Sequence, residues 1–129
     1  MSSRTVWKQC GGAIIATFAT TLVPGATIEQ LEARANECLM TVDGRSYDEV
    51  ANRAFWRDAS FMGECAPPGG AVADPITIYV EILSDGRMGQ FEIVPKTAVA
   101  RCILERASAR EFPKPPMPYV LKIEVRFTK

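Results

Sequence analysis

From residue 76 onward the chain alternates apolar and polar side chains with a period of two, and this restricts its fold more than any other feature. Ile76, Ile78, Val80 and Ile82 alternate with Thr77, Tyr79, Glu81 and Leu83. Successive side chains of a strand point to opposite faces, so the run predicts a strand with one buried face. Ser84-Asp85-Gly86-Arg87 follows, and Asp-Gly between apolar runs is a hairpin signal. Met88, Phe91 and Ile93 mark the returning strand, about 88–94. Pro95 ends it, because proline has no N–H to continue a ladder. A third strand is predicted over 119–127, where Tyr119, Leu121, Ile123, Val125 and Phe127 alternate with Val120, Lys122, Glu124 and Arg126.

The front half follows the helical period instead. Thr27-Ile28-Glu29-Gln30 is a capping box, and Ile28, Leu31, Ala35 and Leu39 then recur at helical spacing, predicting a helix over about 28–40. Asp43-Gly44 is expected to end it with a turn. Ser46-Tyr47-Asp48-Glu49 has the form of a second capping box, opening a helix over about 47–58 that carries Val50, Ala54, Phe55 and Trp56. The Phe55-Trp56 pair is read as a core or docking face rather than a ligand platform. Residues 63–75, from Gly63 to Pro75, hold three prolines and three glycines and are expected to form a loop. Thr97 starts a last helix, through about 110, with Val99, Cys102, Ile103 and Ala107 on one face and Arg101, Glu105, Arg106 and Arg110 on the other. Phe112-Pro113-Lys114-Pro115-Pro116 is a stiff, extended connection. The expected fold is α+β: a three-stranded antiparallel sheet, made of the hairpin and the C-terminal strand, with two or three helices on its apolar face. Its parts are a helical stretch over 27–62, the loop over 63–75 and an α+β part over 76–129.

Composition narrows the chemistry. The chain has 129 residues, which suits one domain, and 15 Lys and Arg balance 15 Asp and Glu. Nucleic acid is therefore not expected as a partner, since binding it normally needs a clustered basic excess. No His is present, which removes Ser-His-Asp and Cys-His nucleophiles and His-ligated zinc. The acids Asp43, Asp48, Glu49, Asp58, Glu64, Asp74 and Asp85 sit mostly where caps and turns use them. No phosphate loop, HExxH or GxSxG occurs. Neither a catalytic residue, a cofactor nor a metal is expected, and a small carboxylate-dependent enzyme is the weakest reading.

Residues 1–26 carry Arg4 and Lys8, no acid, and a weakly apolar run from Cys10 to Val23. This is the outline of an export signal, shorter and more dilute than a membrane span. The alternative is a buried first strand or helix of a cytosolic domain. With the leader, Cys10 leaves; Cys38, Cys65 and Cys102 remain, enough for one disulfide with three possible pairings. Without His or a CxxC motif the set is poor for zinc, and an oxidising compartment favours a bridge.

Residues 76–127 resemble the periplasmic C-terminal domain shared by TolA and TonB-type energy transducers. The features that carry the resemblance are the apolar strand ending in Asp85-Gly86, the helix with Cys102-Ile103-Leu104, the run Phe112-Pro113-Lys114-Pro115-Pro116 and the terminal amphipathic strand. The TolA version is the nearest. The resemblance implies a non-catalytic periplasmic module that binds a protein by lending a sheet edge to an incoming strand, in cell-envelope transport or integrity. The implied surface is Tyr119, Leu121, Lys122, Ile123, Glu124, Val125, Arg126 and Phe127. Edge charges also guard against unwanted pairing, so Lys122, Glu124 and Arg126 have a protective reading beside the binding one. The resemblance further implies a Cys65–Cys102 disulfide, with Cys38–Cys102 as the second choice, and leaves Cys38 as an unpaired buried thiol. Membrane contact is expected only through residues 1–26, if these are retained. The 63–75 loop spans at most about 45 Å at roughly 3.1–3.5 Å per residue, so a free-standing module is expected rather than one coupled to a motor. A cytosolic structural subunit with reduced cysteines is the alternative.

Overall fold

The computed structural model describes residues 6–9, 12–15, 25–67, 75–107 and 110–127, with side chains from residue 25 onward. In chain order the elements are β1 (Val6–Gln9), β2 (Gly12–Ile15), α1 (Ile28–Cys38), α2 (Val42–Trp56), α3 (Ser60–Cys65), β3 (Ile76–Ile82), β4 (Met88–Val94), α4 (Ala98–Ala107) and β5 (Tyr119–Val125). β1 and β2 form an antiparallel pair within the segment that has the outline of an export signal. The other three strands make one antiparallel sheet in the order β4-β3-β5, the α+β arrangement the alternation predicts.

β3 lies at the centre with buried side chains on both faces, four aliphatic residues on one and Tyr79 on the other. Ile76, Ile78, Val80 and Ile82 face a core built with α2, α3 and α4, while Tyr79 joins Leu31, Ala35 and Val120 in a second cluster under α1. The helices therefore do not share one apolar face, as the sequence led us to expect. α1 takes the other side, because Tyr79 and Val120 supply apolar area there and Leu31 and Ala35 match it. Polar links reinforce that side. Gln90 both accepts from the Ala26 N–H and donates to its carbonyl, each at 2.8 Å. The β3–β4 ladder is interrupted between Val80 and Ile82, where the Glu81 carboxylate accepts the Gln90 N–H at 3.0 Å.

Several boundaries differ from those the sequence predicts. Asp43-Gly44 is not a turn between helices but the first turn of α2, whose N-cap is Thr41, not Ser46; its hydroxyl accepts from the Gly44 N–H at 2.9 Å. The two helices meet so closely that a Cβ on Gly44 would lie 1.8 Å from the Cys38 carbonyl oxygen. Glycine at 44 thus serves close approach, not chain reversal. Ser46 and Glu49 lie inside α2. Gly63, Glu64 and Cys65, expected in the loop, belong to α3; residues 68–74 of that loop lie outside the described residues. α4 is described over Ala98–Ala107; residues 108 and 109 of its expected extent lie outside the described residues. Arg110, expected to face away, turns back: its guanidinium donates to the Arg57 and Asp58 carbonyls at 2.8 Å and stacks on Phe61 at 4.7 Å. β5 ends at Val125, two residues before the expected limit. Phe55 is buried in the core, and Trp56 packs against its edge at 5.3 Å.

The hairpin turn and the proline run, separate in sequence, are joined in space. Gly86 has φ +91°, where other residues are strained, and a Cβ there would lie 2.3 Å from the Phe112 carbonyl oxygen. The Phe112 N–H donates to the Gly86 carbonyl at 3.0 Å. Phe112 and Pro115 are buried, and the Pro113 carbonyl accepts the Tyr47 hydroxyl at 2.6 Å.

All three tyrosines of the chain are buried. Burial pushes Tyr47 up to about 12. Burial, with a hydrogen bond to Glu32, pushes Tyr79 up to about 12 as well. Tyr119 is raised by burial and by Asp48, whose Oδ1 accepts its hydroxyl at 2.6 Å. Native values above the unfolded one contribute stability that is complete below about pH 10 and is lost as pH rises through the raised values. Spectrophotometric titration at 295 nm is therefore expected to give no phenolate signal at pH 10.5, and the signal above pH 11 should coincide with loss of the far-ultraviolet dichroism. Gly44→Ala should cost about 1–3 kcal/mol through overpacking against main chain, read from the urea midpoint. Gly63→Ala, where an added Cβ meets nothing within 4 Å, should not destabilise.

Candidate functional site

The strand expected to bind a partner is at the border of the sheet. β5 pairs with β3 along its whole length, from Ile76 opposite Val125 to Ile82 opposite Tyr119, without a break in register. Nothing follows it in the strand order, and no backbone hydrogen bond among the described residues outside the sheet ladder involves residues 119–127. Among the described residues β5 is thus a regular strand with one rim unpaired. β4, the opposite border, is less regular: it carries the interruption at Glu81 and is followed by Pro95.

Alternation sorts the residues of β5. Tyr119, Leu121, Ile123 and Val125 are buried in the core under α2, α3 and α4. Val120 joins the cluster under α1. Lys122, on the α1 side, donates to Glu32 at 2.8 Å and lies 3.8 Å from Glu124. Its charge is therefore held on the face of the sheet by α1. Glu124 and Arg126 are exposed, and Phe127 is half-buried against the core.

Beside this strand runs a groove of about 330 Å³. Its walls are Ala35, Asn36 and Leu39 of the α1 end, Asp48 of α2, and Val120, Lys122 and Glu124. At its mouth the α1–α2 junction exposes three apolar side chains: Leu39 at 41%, Met40 at 77% and Val42 at 68%. Sequence reasoning placed Leu39 on the buried face of α1 and did not single out Met40 or Val42. The signal was present: an apolar Leu39-Met40 pair and Val42 flank a single threonine at a helix junction, where polar residues are usual.

The resemblance-derived disulfide is present. Cys65 at the end of α3 is bonded to Cys102 of α4, with Cα atoms 5.6 Å apart, and the Arg106–Glu64 ion pair joins the same two helices. Cys38 is not the spare thiol: it is disulfide-bonded too. The odd thiol followed from counting Cys10 away with residues 1–26; over the whole chain the cysteine count is four. Gly86 meets Phe112 and Pro113 at the hairpin turn, at the end of the sheet where β5 begins opposite Ile82, and Asp85 bonds Arg87 within that turn; Lys114 and Pro116 are exposed. Among the described residues these carboxylates do not converge; Asp74 lies outside them. Asp48 accepts from Tyr119 and Asn52, Asp85 holds Arg87 across the turn, and Glu64 pairs with Arg106. Among the described residues no group of three His, Cys, Asp or Glu is placed to hold a metal ion. None of their helices is long and apolar enough to cross a membrane.

Glu32 ties α1 to β5, and its carboxyl is held below the usual carboxylate range by the hydrogen bond from Lys122, then by that from Tyr79. A depressed native value contributes stability that is present above the unfolded value and lost as pH falls through the native one. Glu32→Gln should therefore be less stable than the parent at pH 6–7, with the gap closing below about pH 4, as measured by urea denaturation across that range. Compared with family models, with curated proteins and with solved structures, the chain matches none.

Proposed function

We propose that this protein is an exported, non-catalytic binding module of the TonB and TolA C-terminal kind, which takes up an extended segment of an envelope protein along the outer rim of β5. The observation that carries the reading is the position of β5: fully paired on one side, last in the strand order, and with no described main-chain partner on the other. An incoming strand gains main-chain hydrogen bonds from that rim and specificity from alternate side chains. Those facing α1 enter the groove at Ala35, Leu39 and Val120. The exposed Met40 and Val42 extend the apolar contact beyond the strand, and patches of this kind mark interaction sites.

Export is supported by the Cys65–Cys102 bond, because disulfides persist in oxidising compartments. Residues 119–127 contribute differently to the proposed contact. Lys122 is engaged by Glu32, whereas Glu124 and Arg126 are exposed and meet the partner's charges. This favours a binding role for the border over a purely protective one.

Hydrogen exchange of the full chain, bound to peptides selected on it from a random display library, tests the reading. Amides of 119–125 should gain protection; protection confined to other elements would overturn it. Successive N–H groups of a strand point to opposite sides. Of Glu124→Pro and Val125→Pro, one therefore removes a ladder donor and should cost about 1–3 kcal/mol. The other removes a rim donor, and should leave the fold standing while peptide binding is lost.

A further inference from the structure

A second recess lies on the opposite border of the sheet, between β4 and α4. It has a volume of about 200 Å³ and is walled by Phe91, Ile93, Ala100 and Leu104, with Lys96 and Arg101 at its rim. Only three residues, 95–97, connect β4 to α4, so the recess is closed at that end. The chain directions then order its contents. Lys96 and Arg101 lie by the closed end, and Phe91 and Leu104 toward the open one.

The charges there are unbalanced. Lys96 and Arg101 are exposed and make no ion pair among the described residues. Glu92 contributes to the wall, but alternation turns its side chain to the α1 side with Gln90, whose amide it accepts at 3.2 Å. Thr97 Oγ1 accepts the Ala100 N–H at 3.2 Å and keeps its own proton for an acceptor. Beyond the bridge between Arg87 and Glu111, no described backbone group pairs with the outer edge of β4.

We infer that this recess binds the C-terminal end of another polypeptide: an apolar last side chain between Phe91 and Leu104, and its free carboxylate on Lys96 and Arg101. The closed end selects a chain terminus, because an internal acidic residue would require the main chain to continue through residues 95–97. The size selects one or two side chains, being below the roughly 300–1,000 Å³ of small-molecule sites. The open edge of β4 selects a peptide, whose main chain it can hydrogen-bond. None of these observations involves β5.

The probe is a fluorescein-labelled pool of random octapeptides with Leu, Ile, Val or Phe as the last residue, titrated by polarisation against the full chain. Saturable binding is expected. Amidating the peptide carboxylate, or replacing Lys96 and Arg101 together by Glu, should each weaken it at least about tenfold. Leu104→Glu should abolish it. All the replaced side chains are exposed, and unchanged far-ultraviolet dichroism identifies folded variants. Equal binding of the amidated pool, indifference to the double charge reversal, or no saturable binding would overturn the inference. Displacement by palmitate at the same concentration as peptide would assign the recess to a fatty acid. A dimer dissociated by Leu104→Glu would assign it to a second copy. Either result also overturns the proposal.

Discussion

The fold depends on a central strand that is sheathed on both faces. Ile76, Ile78, Val80 and Ile82 are essentially inaccessible to water, and Tyr79, pointing the opposite way, is almost as deeply buried. A strand with apolar side chains on both sides needs two covering layers, and burying each such side chain is worth about 1.5–3 kcal/mol. Among the described residues α2, α3 and α4 form one layer and α1 forms the other. Because β3 occupies the middle of only three strands, both remaining strands are borders. Each adds a row of main-chain groups to the surface, and the two functional proposals use one border each.

The two borders are differently made. β5 runs in unbroken register, whereas β4 has its ladder interrupted at Glu81 and is preceded by Arg87, which bridges to Glu111. Interruptions of this kind discourage edge-to-edge pairing. The unbroken border therefore suits an extended partner, and the interrupted one, of equal length, suits a chain end that needs few main-chain bonds and one apolar slot.

Much of the sheet was legible in the residues. The alternation at 76–82 and 119–125 and the Asp85-Gly86 turn are local signals, since strand period and turn geometry are set by neighbours in sequence. The first capping box was legible for the same reason, and Thr27 and Gln30 do exchange both hydrogen bonds. What escaped was decided at a distance. Asp43-Gly44 has the composition of a turn, yet Gly44 is needed because the Cys38 carbonyl presses against it. Arg110 looked like a solvated charge, but its partners are the Arg57 and Asp58 carbonyls, more than 50 positions earlier. The Leu39-Met40-Val42 patch escaped because helical spacing identifies the stripe a helix presents, not whether a neighbour reaches its last turn. The disulfide came from resemblance alone; spacing left three pairings open.

The amide of Gln90 holds the main chain of Ala26 by both its polar groups, just before the Thr27 cap of α1. A chain trimmed to begin at Thr27 would forfeit both of those bonds. It would also convert the N–H that Gln30 accepts into an ammonium group, setting a positive charge on the positive end of the helix. Trimming at that bond would thus loosen α1, the one helix among the described residues that shields the second face of the sheet. A cut several residues upstream would leave both Gln90 bonds whole, so the grip of one glutamine sets how much of the chain before α1 could be lost without unseating it.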